Sequence, residues 1–167
     1  MLSCGLEKNL DTFQKMFFKK IILGFLVAIL QRKSGVYMKR RAAREKALQL
    51  LFQADVGKNP IDEVYHYTIK ETEHDEFIRQ IVFGTVEHLE ELDRLIEDHL
   101  INWTLPRLAN VDKNILRMAV YEMKYMDDIP VQVTINEAIE IAKKYGDAES
   151  GRFVNGVLAR IKETLQK

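Results

Sequence analysis

The chain has 167 residues, enough for one domain with a sizeable core. Its three prolines and eight glycines favour helices over a β-sandwich, and its one cysteine, Cys4, excludes a disulfide framework and a thiolate metal site. The formal charge is zero, but residues 1–37 hold six basic and two acidic side chains, which leaves 19 basic and 23 acidic, net −4, beyond them. Such a body does not attract nucleic acid through its overall field, so any binding of that kind needs a local patch.

Residues 1–37 differ from the rest. Within FFKKIILGFLVAIL the apolar run from Ile21 is ten residues long, whereas a bilayer span takes roughly 20. Lys19 and Lys20 before it suggest a signal peptide, yet Gln31, Arg32 and Lys33 follow where a small-residue cleavage site belongs. Met38 offers a start of its own. Residues 1–37 are therefore expected to be an N-terminal extension outside the fold.

A first helix is predicted from Lys39 to Asp55. At 100° per residue, Ala43, Ala47, Leu50, Leu51 and Ala54 share one sector, the expected core face. Arg41, Arg44 and Phe52 share another, with Leu48 at its margin. Read as exposed, that stripe suits single-stranded RNA, with guanidinium groups on phosphates and a ring on a base; the plain alternative is a solvated basic terminus.

Gly57-Lys58-Asn59-Pro60 is a turn by its chemistry. A short helix over Ile61 to Lys70 follows, then one long helix from Asp75 to about Ile101 with Phe77, Ile81, Leu89, Leu92, Leu95 and Ile96 on its apolar face. Twelve carboxylates lie between Asp62 and Asp98 against Lys70, Arg79 and Arg94, a surface that repels RNA or is simply solvated. Trp103 is expected to pack over the junction between two halves rather than to bind a base.

A short helix around Leu105 to Ala109 leads to Asn110 or Asp112 as a cap, and the helix of Ile115, Leu116, Ala119, Val120 and Met123 reads as the central buried one. Asp127 to Pro130 stops it. Thr134 and Glu137 have the spacing of a capping box for the next helix, whose face is Ile135, Ala138, Ile139 and Ala142. Gly146 is placed to end it in the left-handed conformation. Ser150 is placed to cap a last helix with Phe153, Val154, Val157, Leu158 and Ile161.

The residues of common catalytic sites are missing from this pattern. His66, His74, His88 and His99 are scattered without HExxH, and there is no GxxxxGK[ST], GxGxxG or GxSxG. Glu137 and Glu140 are the nearest thing to a carboxylate pair, and the cap and solvent account for them. No enzyme and no cofactor are expected.

RRAAREKALQLLFQ at 40–53, ILRMAVYEM at 115–123, and NEAIEIAK followed by a glycine turn and FVNGVL, in this order and spacing, resemble the NusB family of bacterial transcription antitermination factors. The resemblance runs from Met38 to the C-terminus. It implies an all-α, compact bundle of about seven helices in two packed halves, here residues 38–167. It also implies binding of boxA leader RNA together with NusE, a ribosomal protein, and a cytoplasmic role with the RNA polymerase antitermination complex in reading through ribosomal RNA genes. A homodimer is compatible with it, and a membrane is not involved.

By position, the resemblance implies RNA contacts at Lys39, Arg40, Arg41, Arg44, Phe52, Arg152 and Phe153. Asp112 and Glu149 match acidic positions associated with partner or complex binding, Asp112 having a capping role as its plain reading, while Asn155 reads as tying the last helix to the core. Two other readings remain. One is a helical protein-interaction module without RNA. The other is the RNA-binding appendage of ribosomal RNA cytosine methyltransferases, which continue into a Rossmann-type domain where this sequence ends at Lys167.

Overall fold

The structure, a computed structural model, describes residues 40–69 and 76–166. The expected extension, Lys39 and the 70–75 segment with His74 lie outside them. Seven α-helices follow one another: α1 Arg40–Gly57, α2 Ile61–Thr68, α3 Glu76–Glu87, α4 Leu89–Glu97, α5 Asn110–Tyr125, α6 Val131–Tyr145 and α7 Ser150–Leu165, with a 3-10 turn at Leu105–Arg107 before α5. No strand occurs among the described residues.

The centre is α5. Helices α1, α3 and α4 pack on it from one half, and α6 and α7 from the other. Ile115, Leu116, Met118, Val120 and Met123 are buried, as the apolar pattern predicts for a helix covered on several sides. Burial of such side chains contributes about 1.5–3 kcal/mol each against the entropy of ordering the chain. The α5 helix is not purely apolar: Arg117 sits in the interior and grips Asp93 of α4 through two hydrogen bonds of 2.6 Å. Asp55, near the end of α1, takes bonds of 3.0 Å from both Lys113 and Asn114. These contacts stitch α1, α4 and α5 together.

Three local expectations are corrected. The long helix expected over 75–101 is two helices, broken at His88, whose φ of −100° and ψ of 15° leave the helical range. The His88 ring there stacks on Tyr125 at 4.2 Å, and Tyr121 packs beside both. Gly84 in the preceding turn makes room for Tyr121, since a Cβ would stand 2.1 Å from its ring.

The capping box is absent because α6 begins at Val131, directly after Pro130, whose fixed φ leads into the helix. Thr134 and Glu137 then lie within the helix and bond elsewhere. Gly146 has a φ of −87°, not a left-handed one. Its lack of a side chain matters for a different reason: a Cβ would lie 2.3 Å from the Ser150 hydroxyl.

Candidate nucleic-acid interface

The basic start of α1 is held by carboxylates of two other helices. Arg44 is 4% exposed and makes a two-pronged pair with Glu122 of α5, at 2.8 and 2.7 Å. Glu122 is itself buried and accepts a further hydrogen bond from the Thr134 hydroxyl of α6. A buried carboxylate needs such partners, because leaving it unpaired costs several kcal/mol. One turn earlier, Arg41 makes an equivalent two-pronged pair with Glu137 of α6, at 2.8 and 2.7 Å, but here the guanidinium is 52% exposed. Glu137 holds the Arg41 guanidinium more firmly protonated than usual, and Arg41 in turn lowers the Glu137 carboxyl. Arg40 is exposed and lies 4.3 Å from the centroid of the Phe77 ring, which Arg44 also faces. Arg40, Arg41, Arg44, Val133 and Glu137 together line a shallow groove.

The exposed stripe predicted on α1 therefore divides. Arg40 and Arg41 remain at the surface. Arg44 and Phe52 do not: Arg44 is the buried partner of Glu122, and Phe52 is 9% exposed and belongs to the core. The correction has a simple cause. Helix α1 packs on α3 and α5, and α2 folds back along it, Thr68 reaching Gln53 beside Phe52. More than one face is covered, so the stripe stays open at Arg41 and is closed at Arg44 and Phe52.

The other predicted residues gather at the start of α7. The Asp147 carboxylate accepts from the backbone N–H groups of Glu149 and Ser150, both at 2.9 Å, and so serves as the cap expected of Ser150. The Ser150 hydroxyl accepts from the Asp147 N–H at 2.9 Å and shares its own proton between Asp112 and Asp147, at 3.0 and 3.1 Å. Asp112 is thus neither a helix cap nor an exposed acid: it is 7% exposed, and its side chain braces α5 to α7 through Ser150. Glu149 stays exposed and pairs with Arg152 at 3.1 Å. Phe153 is half-buried against Trp103, with ring centroids 6.3 Å apart. Asn155 is exposed on α7 and does not tie it to the core. Arg41 and Arg152 answer to different neighbours, the first to α6 and the second to its own helix.

Burial raises the Asp112 carboxyl to about 6, the Ser150 bond only partly opposing this. A carboxyl whose value is raised on folding favours the fold when protonated, so its contribution is present below about pH 4 and is lost as pH rises through about 6. Asp112→Asn should accordingly be more stable than the parent at pH 7 and lose that advantage by pH 4. Urea denaturation across this range checks the sign; an advantage that grew toward low pH would contradict it.

Sequence reasoning missed Glu122, Thr134 and Trp103 as parts of these arrangements. The first carried a signal: an acid amid the apolar residues of a central helix implies a buried cation nearby. Among the described residues no helix is long and apolar enough to cross a membrane, and no three metal-binding side chains cluster.

The all-α scaffold thus displays exposed guanidinium groups at two helix starts, Arg40 and Arg41 on α1 and Arg152 on α7, each braced by internal polar contacts. The NusB family model matches residues 41–163. The transcription antitermination protein NusB of Geobacillus kaustophilus is 60% identical over 130 residues, covering 78% of this chain and 100% of that protein. A solved NusB of T. maritima is similar with a TM-score of 0.72 at 39% identity, over 77% of this chain and 93% of that one. A chain in the crystal structure of antitermination factors NusB and NusE in complex with dsRNA gives a TM-score of 0.68 at 30% identity, over 75% of this chain and 96% of that one. The chain belongs to the NusB family, and its relatives in Geobacillus kaustophilus and Bacillus subtilis are transcription antitermination proteins.

Proposed function

We propose that this chain is a transcription antitermination factor that binds boxA-type leader RNA together with NusE and promotes read-through of ribosomal RNA genes by RNA polymerase. The observation that carries the reading is the match to a NusB antitermination protein along that protein's full length, beside a similar fold solved with NusE and RNA. The domain from 38 to 167 carries the activity in the cytoplasm, and residues 1–37 are dispensable to it. Arg40 and Arg41, with Lys39 before them, supply phosphate contacts at the start of α1. Arg152 and Phe153 supply a phosphate contact and a stacking ring at the start of α7. Exposed Glu149 adjusts partner or RNA binding by competing for Arg152.

The Arg41–Glu137 pair gives this reading a specific consequence. A phosphate that takes Arg41 must displace a carboxylate already seated on it by two hydrogen bonds. Glu137→Gln removes that competing charge and should tighten boxA binding several-fold. The salt dependence should steepen, since each further phosphate engaged adds about 0.7 to the slope for single strands. Fluorescence anisotropy with a labelled boxA oligonucleotide, at several salt concentrations and with or without NusE, measures both. Failure of the parent protein to bind RNA under any of these conditions would overturn the RNA reading and leave a protein-interaction module. Unchanged affinity in Glu137→Gln would remove Arg41 from the contact.

A further inference from the structure

Trp103 packs over the junction only in part: it meets Phe153 of α7 and yet stays 49% exposed. The loop that carries it is nevertheless firmly held. Arg160 of α7 donates from Nε to the His99 carbonyl at 3.0 Å, and the His99 ring bonds the Leu95 carbonyl at 2.7 Å and the Thr164 hydroxyl at 2.6 Å. Asn102 then turns the chain with a left-handed φ of 59°, a conformation that asparagine tolerates better than most residues. The indole is presented edge-on to Phe153, their planes 64° apart, with the Arg107 guanidinium 5.7 Å from its centroid. Arg152 extends on the same turn of α7 as Phe153 and is exposed, opposed only by its pair with Glu149.

We propose that Trp103 and Arg107 form a second stacking and phosphate subsite for single-stranded RNA, continuous with Phe153 and Arg152. This deepens the RNA reading above and rests on it. Two rings inclined at 64° cannot sandwich one base, but each offers a face to a different base of a bent strand. Arg107 lies over the Trp103 ring and exposed Arg152 precedes Phe153 in α7, two guanidinium groups for the phosphates of such a strand. A protein partner would be expected to exploit the apolar surface instead. Exposed Ile101 extends that surface, but the flanking guanidinium groups favour the polyanion.

Trp103 is the sole tryptophan of the chain, so its emission reports on this site alone. Titrating the full chain with an unlabelled single-stranded boxA oligonucleotide should quench that emission along the binding curve. Trp103→Ala should weaken binding about tenfold with an unchanged salt slope, as loss of stacking requires, and Trp103→Phe should retain most of the affinity. Arg107→Ala should flatten the slope by about 0.7. Circular dichroism melts establish that each variant is folded. The proposal is overturned if RNA binds with Trp103 emission unchanged and with Trp103→Ala and Trp103→Phe both at parental affinity. It is equally overturned if purified NusE, and not RNA, quenches the tryptophan. Absence of any RNA binding by the parent chain is a different result, which removes the RNA reading itself.

Discussion

Arg44→Ala is expected to lose about 3–5 kcal/mol of unfolding free energy, because it leaves the Glu122 carboxylate buried with only the Thr134 hydroxyl for company. The size follows from where the charge is left. Glu122 is 1% exposed, so water cannot replace the guanidinium without opening the contact between α1, α5 and α6. Glu122→Gln strands the opposite charge and should cost a similar amount. The double variant Arg44→Met with Glu122→Leu should lose far less than the sum of the single changes, since apolar groups of similar bulk need no partner. Urea denaturation of the three variants decides this. If the single changes each cost under about 1 kcal/mol, the pair is solvated and α1 is not locked by it.

That lock explains how exposed guanidinium groups can be held in place at the very start of a helix. The first turn of a helix has unsatisfied N–H groups and few neighbours, and left alone it frays. Here Arg44 is fixed to α5, Arg41 to α6, and Arg40 lies on Phe77 of α3. Three helices thus hold the segment that displays the exposed guanidinium groups. At the other site Asp147 and Asp112 hold the first turn of α7 through Ser150, and so fix Arg152 and Phe153. In both places the side chains that face solvent are positioned by buried polar contacts one turn away.

Much of this was legible from residue spacing, and the misses on α1 and α6 share a cause. Apolar periodicity located the helical segments and the central place of α5, because those follow from which residues must leave water, but it ran α3 and α4 together across His88. It placed Arg44 and Phe52 at the surface because it assigned α1 one covered face, whereas three neighbouring helices cover more than one. The Thr134–Glu137 spacing matched a capping box, but the same two side chains serve tertiary partners 12 and 96 residues away, Glu122 and Arg41. Local pattern cannot separate these uses: a hydroxyl and a carboxylate satisfy a helix end or a distant donor equally well. Trp103 departs from expectation in degree only: a large ring is expected to be covered, and here a clamped loop holds it against Phe153 but half in water.

Phe52→Ala tests the corrected face of α1 most directly. With the ring on the surface, truncation would spare the fold and cost stacking with RNA. With the ring in the core, as its 9% exposure places it, the change removes most of a buried aromatic and leaves a cavity where α2 folds back on α1. Large-to-small changes of this kind cost about 3–5 kcal/mol, the spread reflecting how far the surroundings relax. Phe52→Leu, which keeps much of the volume, should cost under about 1.5 kcal/mol. At a temperature where the variants are fully folded, their affinity for boxA RNA should equal that of the parent, because neither Arg40 nor Arg41 depends on this turn of the helix. Urea denaturation alongside anisotropy separates the two outcomes. A Phe52→Ala protein as stable as its parent but weakened in RNA binding would return the ring to the surface and undo the packing described for α1.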